Sequence, residues 1–218
     1  MNQNDLLNLR YATIQEARAE MSKLLEARPA NYSLDAPLYN DPHMFRVDIE
    51  EIFQKEWLFV GMTSEIPNRG DYFTVEIAQN PILIVRDADG SVSAFHNTCR
   101  HRGSRICLKH RGKVANLVCP YHQWTYDLKG NLLFAGTEMG DSFDKSQHGL
   151  KKAHCKTAGG FIFVSLGKAA PEGDFDEFLA TLEEYMAPYD VENTKLVAES
   201  NMYEKANWKL VIENNREC

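Results

Sequence analysis

Cys99-Arg100-His101 and Cys119-Pro120-Tyr121-His122 bring a thiol and an imidazole together twice, with 17 residues between His101 and Cys119. Each pair follows a strand-like stretch, Val92–His96 for the first and Val114–Val118 for the second, so both are expected in loops at the ends of hairpins. Two such loops can each offer one thiolate and one imidazole to a pair of metal ions. A structural zinc fits this spacing badly, because its usual pairs are C-x2–4-C and H-x3–5-H. A [2Fe-2S] centre of mixed ligation fits well: two cysteines hold one iron and two histidines the other, and replacing thiolates by neutral imidazoles raises the potential.

Working outward, the surrounding sequence is a succession of short β segments. Tyr72–Ile77, Ile82–Arg86 and Val92–His96 are rich in β-branched and aromatic residues, and Gln79-Asn80-Pro81 and Asp87-Ala88-Asp89-Gly90 punctuate them. Val114–Val118, Trp124–Asp127, Leu132–Phe134 and His154–Val164, the last broken at Gly159-Gly160, continue the pattern. Residues 61–167 are therefore expected to form a compact antiparallel β domain. The flanks have helical periods. Ile14, Ala17, Met21 and Leu24 make one apolar stripe on a helix expected from Asp5 to Ala27, and residues 44–56 suggest a second helix running into a strand. After Pro171, Asp174 and Glu177 have the form of a capping pair ahead of a helix ending at Pro188. Lys195–Ser200 reads as a strand and Ala206–Asn215 as a helix. The fold class is α+β, divided as a helical segment over 1–60, the β domain over 61–167, and the start of another domain over 168–218.

At FHNTCRHRGSRIC (95–107) and CPYHQWTYDLKGNLLFAGTE (119–138) the chain resembles the Rieske [2Fe-2S] domain of the ring-hydroxylating and amine-demethylating oxygenases. The likeness runs from about Pro37 onward. It implies that Cys99, His101, Cys119 and His122 are the cluster ligands and that Trp124 and Tyr126 pack beside them; plain strand packing is the other reading of Trp124. Respiratory-chain Rieske proteins have disulfide-forming cysteines where this chain has Ser104 and Tyr121, so that branch is disfavoured. Many relatives have Gly where Gln123 stands, which puts the path of that loop in question.

The segment EKANWKLVIENNREC (204–218) is similar to the opening of the helix that carries the mononuclear non-haem iron in the same oxygenases. By that resemblance Glu217 is the bridging carboxylate between the iron site and a neighbouring subunit's cluster. The iron's 2-His-1-carboxylate ligands would lie past residue 218. NNREC, HRGSRIC and LLFAGTEMG resemble most the branch that demethylates glycine betaine, with stachydrine and carnitine oxygenases nearby. The resemblance further implies O2-dependent loss of an N-methyl group from a quaternary amine, an NAD(P)H-dependent reductase with flavin and a [2Fe-2S] cluster, and a homotrimer. A Rieske-type electron carrier without its own catalytic site is the alternative, and the helices after Pro171 speak against it.

Composition agrees. There are 24 Lys and Arg against 31 Asp and Glu, a net charge of −7, which gives no electrostatic footprint for nucleic acid or an anionic membrane. No apolar run is long enough to span a bilayer. The opening residues have no signal-peptide pattern, and an odd number of cysteines, five, suits a reducing compartment, so a cytoplasmic protein is expected. Cys107 and Cys155 are expected as buried thiols and Cys218 has no assigned environment. His96, His110, His148 and His154 have no ligand spacing. Glu183 and Glu184 are expected on a solvated helix face. There is no G-x-G-x-x-G, so no nicotinamide or flavin site is expected in this chain.

Overall fold

The computed structural model describes residues 10–137, 139–140 and 142–217. Contacts divide the chain into two compact units: residues up to Ile52 together with those from Glu199 onward, and Phe53–Ala198.

The larger unit is built on a fully antiparallel seven-stranded sheet. In chain order the strands are β1 (Leu58–Met62), β2 (Asp71–Ile77), β3 (Asn80–Arg86), β4 (Val92–His96), β5 (Arg111–Lys113), β6 (Leu117–Val118), β7 (Thr125–Tyr126), β8 (Leu132–Phe134), β9 (Lys152–Ala158) and β10 (Phe161–Ser165). The large sheet has the order β1-β10-β9-β4-β3-β2-β5, and β6-β7-β8 form a separate three-stranded sheet. Alternation along β3 explains why both faces of the large sheet are covered. Ile82 and Ile84 point to one face, where they join Phe73, Ala94, Ile162 and Val164. Leu83 and Val85 point to the other, against Phe95, Leu117, Trp124, Tyr126 and Leu132. The second core is the one the small sheet and the cysteine loops close over. Gly130 lies on it with φ +85, and an added Cβ there would approach Phe95 Cε1 to 2.5 Å.

Helix α4 (Phe175–Met186) lays Leu179 on Ala158 and Phe163 of the same unit. Its expected side-chain cap is not formed. Asp174 sits at φ −86, ψ 19 instead of in the extended region a cap needs, and its carbonyl, not its carboxylate, accepts the Phe178 N–H at 3.0 Å. Glu183 is exposed but not merely solvated, because its carboxylate accepts the Gly159 N–H at the β9–β10 turn. Lys195–Ser200 is not a strand: the segment pairs with nothing among the described residues. Its sequence has strand propensity, but a ladder needs a neighbour. The expected Val114–Val118 strand is likewise shorter, β5 ending at Lys113 and β6 starting at Leu117.

In the smaller unit α1 (Ile14–Ala27) starts where Thr13 accepts the Glu16 N–H at 3.1 Å. The helix therefore begins later than Asp5; residues 5–9 lie outside the described residues, and 10–13 are not helical. Its stripe meets α2 (Ala36–Asn40) and α3 (Pro42–Asp48) through Ala17, Leu38 and Met44. Asp41 caps α3 by accepting from His43 N at 2.8 Å and Met44 N at 3.1 Å. The helix expected over 44–56 starts at Pro42 and widens into a π-helical turn over Ile49–Phe53. The last helix, α5 (Trp208–Arg216), belongs to this unit.

Candidate metal centre

The two Cys–His runs fold into matching loops. In the first, Cys99 N donates to Ser104 O at 2.8 Å and Gly103 N donates back to Cys99 O at 3.0 Å. In the second, Cys119 N donates to Trp124 O at 2.8 Å and Gln123 N to Cys119 O at 3.0 Å. Gly103 (φ +73) and Gln123 (φ +59) occupy equivalent left-handed positions. The path questioned at Gln123 is thus the same turn, made by a residue less suited to it. Asn97 anchors the first loop: buried, it accepts from Ile106 N at 3.2 Å and Cys107 N at 2.9 Å and donates to Cys107 O at 2.8 Å.

Both loops aim at one place. The Cys99 and Cys119 thiols lie side by side, 3% and 2% exposed, while His101 is half-buried and His122 exposed. The imidazole rings of His101 and His122 are 4.7 Å apart at 70°. The layout is therefore two buried sulfurs beside two imidazole rings that lie nearer the surface.

The neighbours tune this layout. Tyr126, fully buried, stands with its hydroxyl 3.3 Å from Cys99 Sγ and accepts the Arg100 N–H at 3.1 Å, which leaves its one proton for the sulfur. Burial first, then the Cys99 contact, push the Tyr126 phenol well above its ordinary value, so it stays a donor. Burial raises the Cys99 thiol, opposed by hydrogen bonds from Tyr126 and from the His101 N–H. Trp124 stacks on His101 at 4.9 Å and 8°, which decides between its two readings: it packs against a candidate ligand. Burial, then His122 and Arg102, lower the His101 pKa, favouring the neutral imidazole that a metal requires. His101 Nδ1 is buried with no hydrogen-bond partner. A polar atom shielded from water wants a partner, and a metal–nitrogen bond is the one this donor set lacks. The residues present therefore fit a dinuclear iron–sulfur centre.

Residues 56–138 match the Rieske [2Fe-2S] domain family. This is a Rieske [2Fe-2S] domain. The chain is 56% identical over 205 residues to the glycine betaine monooxygenase oxygenase subunit of Pseudomonas aeruginosa, covering 94% of this chain and 47% of that protein. It is 58% identical over 202 residues to the subunit of the same name from Chromohalobacter salexigens, covering 93% and 45%. Among solved structures, the quaternary ammonium Rieske monooxygenase CntA superposes with a TM-score of 0.73 at 30% identity, covering 82% of this chain and 50% of that one. The chain thus spans about half the length of the relatives it matches.

The remaining sequence candidates are placed as follows. Cys107 is buried in the core beneath the loops, with its thiol raised to about 11 by burial, and Cys155 is half-buried on the other face of the sheet. Cys218 lies outside the described residues. Glu217 follows α5 as its C-cap, exposed, with its N–H donated to Asn214 O at 3.3 Å. Reading by spacing missed Asn97, which had a signal, a polar residue between a buried strand and a cysteine. His148, set aside for lack of ligand spacing, has its ring 6.0 Å from Trp124 and its Nδ1 2.9 Å from Asp144 O. Among the described residues no helix is long and apolar enough to cross a membrane.

Proposed function

We propose that this chain is the N-terminal part of the oxygenase subunit of a two-component Rieske monooxygenase that removes a methyl group from glycine betaine. Cys99 and Cys119 would hold one iron of the cluster and His101 and His122 the other. Bound there, the [2Fe-2S] group supplies single-electron transfer at a potential raised by its two neutral ligands. The chain's own residues set the conditions for it. The thiols are kept dry under Trp124 and Tyr126, Tyr126 holds a proton toward Cys99, and the imidazoles stand at the surface where a partner can reach them.

The remainder of the reading is what the resemblance to the amine-demethylating oxygenases implies, with the location taken from the composition. Residues beyond 218 would hold a mononuclear Fe(II), which would supply O2 activation: one oxygen atom would enter an N-methyl C–H bond, the other would leave as water with two electrons and two protons, and the resulting hemiaminal would break its C–N bond to release formaldehyde. Glu217 is the carboxylate between that site and the cluster of the next subunit in a homotrimer. Electrons come from NAD(P)H through a separate flavin and [2Fe-2S] reductase, and the protein works in the cytoplasm. Aromatic faces would hold the quaternary ammonium by cation–π attraction.

The observation that carries the proposal is the pair of matching loops, two buried thiols and an unpaired buried imidazole nitrogen, inside a chain that shares over half its residues with such subunits. The full-length protein, mixed with its reductase and glycine betaine in air, is expected to release formaldehyde. His101→Ala and His122→Ala should each abolish both turnover and the visible absorption of the cluster. Colourless wild-type protein with stoichiometric zinc, or coloured protein that releases formaldehyde from carnitine but not from glycine betaine, refutes the cluster or the substrate respectively.

A further inference from the structure

Helix α5 is held in the smaller unit by part-buried polar contacts gathered on the buried carboxylate of Asp48 and on Tyr39. Asp48, at the end of α3 and 2% exposed, accepts the Trp208 Nε1–H at 3.1 Å and pairs with Lys209. Lys209 also donates to Leu38 O at 3.1 Å, and its ammonium lies 5.2 Å over the Trp208 ring. Asn207 accepts the Lys209 N–H at 3.0 Å as the helix cap and donates to Tyr39 O at 2.9 Å. One turn along, the Tyr39 hydroxyl donates to the Glu213 carboxylate at 2.8 Å and accepts the Leu34 N–H at 3.0 Å. The Asn207-Trp208-Lys209 run is thus a fitting in which all three side chains bond to residues 38–48.

The apolar face of α5 does little of this holding, since Leu210, Val211 and Ile212 are each more than two-fifths exposed. A buried ion pair is a poor source of net stability compared with an apolar pair of the same volume, but breaking one partner is costly, so it fixes geometry. The contacts at Lys209 and Glu213 are four residues apart and set both rotation and axial position of the helix. Glu217 follows directly, four residues beyond Glu213, as the C-cap of α5 with its N–H donated to Asn214 O at 3.3 Å, so it is carried on the end of the same helix. Whatever fixes Lys209 and Glu213 therefore also fixes the direction from which the Glu217 carboxylate leaves the helix.

We propose that Asp48 and Tyr39 are positioning residues that hold α5 so that the Glu217 carboxylate is presented at one defined place. This rests on the bridging role proposed above for Glu217. Releasing either contact removes one of the anchors that fix the last turn of α5, and with it the set position of the Glu217 carboxylate.

The test uses full-length protein carrying Asp48→Asn with Lys209→Met, which removes both buried charges together, and separately Tyr39→Phe, with Glu217→Gln as reference. Four quantities are read: the spectrum of the reduced cluster, amide exchange over residues 208–217, KM for glycine betaine, and the rate at which a pre-reduced cluster is reoxidised in a single turnover. The double variant is expected to keep the spectrum, exchange its α5 amides faster, change KM less than about twofold, and slow reoxidation about tenfold. Added to Glu217→Gln, it should slow reoxidation no further, because both act through one group. Faster exchange with an unchanged rate, or a full additional slowing on top of Glu217→Gln, overturns the proposal. If the double variant does not fold, Tyr39→Phe, which lacks one hydroxyl, decides: about threefold slowing supports the proposal and an unchanged rate refutes it. Normal reoxidation in Glu217→Gln itself sinks the bridging role, and the positioning role with it; normal rates in the α5 variants alone sink only the latter.

Discussion

Replacing Tyr126 by Phe removes one oxygen from the Rieske site and leaves the ring that fills the core between Leu117 and Leu132. The lost hydroxyl donates to Cys99 Sγ across 3.3 Å. A hydrogen bond to a charged acceptor contributes about 1.5–3 kcal/mol. The sulfur is anionic in both oxidation states, so only the strengthening on reduction counts, and taking about half of that value gives ~0.7–1.5 kcal/mol. The donor favours the more negative, reduced form, so its removal lowers the potential. At 59 mV per tenfold for one electron, the fall is about 30–65 mV. Redox titration of Tyr126→Phe beside wild type, followed by visible circular dichroism, measures it. A potential that stays within about 10 mV of wild type, or rises, would show that the hydroxyl proton does not serve the sulfur and refute the assignment of Cys99 as a hydrogen-bonded ligand.

Two further outcomes concern stability. Gln123→Gly is expected to stabilise the protein by ~0.5–1 kcal/mol, because Gln123 holds a left-handed conformation at φ +59 that Gly103 adopts without a side chain in the matching loop. Urea midpoints compare the two, and a destabilised variant would mean that the side chain makes up for the strain. The Cys107 thiol, raised by burial from 9.0 to about 11, keeps its proton in the folded protein where the unfolded chain has lost it. Its contribution is therefore complete below pH 9 and disappears as pH rises to about 11, a loss of ~3 kcal/mol. Unfolding at pH 8 and pH 10.5 should show a shallower decline in Cys107→Ala than in wild type; equal declines refute it.

Local sequence served well where structure depends on local chemistry. The β-branched runs and their Asn-Pro and Asp-Gly punctuation mark β2, β3 and β4 to within two residues, since alternation and turn propensity act over a few neighbours. The errors came where a distant partner decides. Lys195–Ser200 has the residues of a strand and no neighbour to pair with among the described residues. Asp174 has the side chain of a cap and the wrong backbone angles for one. Glu183 looked solvated and instead meets a turn 24 residues away. The α3 helix continues as a π-helical turn, which no spacing in residues 44–56 announces.

The same boundary runs through the metal centre. By itself the sequence determined which residue types meet and in what order, since a thiol and an imidazole two or three residues apart cannot avoid sharing a loop. It also carried the resemblance to the Rieske domain, which the match over residues 56–138 bears out. Only the tertiary structure decided that the thiols are buried and the imidazoles nearer the surface, that Trp124 stacks on His101, that the Tyr126 hydroxyl stands beside Cys99, and that Asp48 grips α5 from 160 residues away. Depth, stacking and long-range hydrogen bonds depend on which surfaces the folded chain brings together, and that depends on the core as a whole, not on any short run of residues.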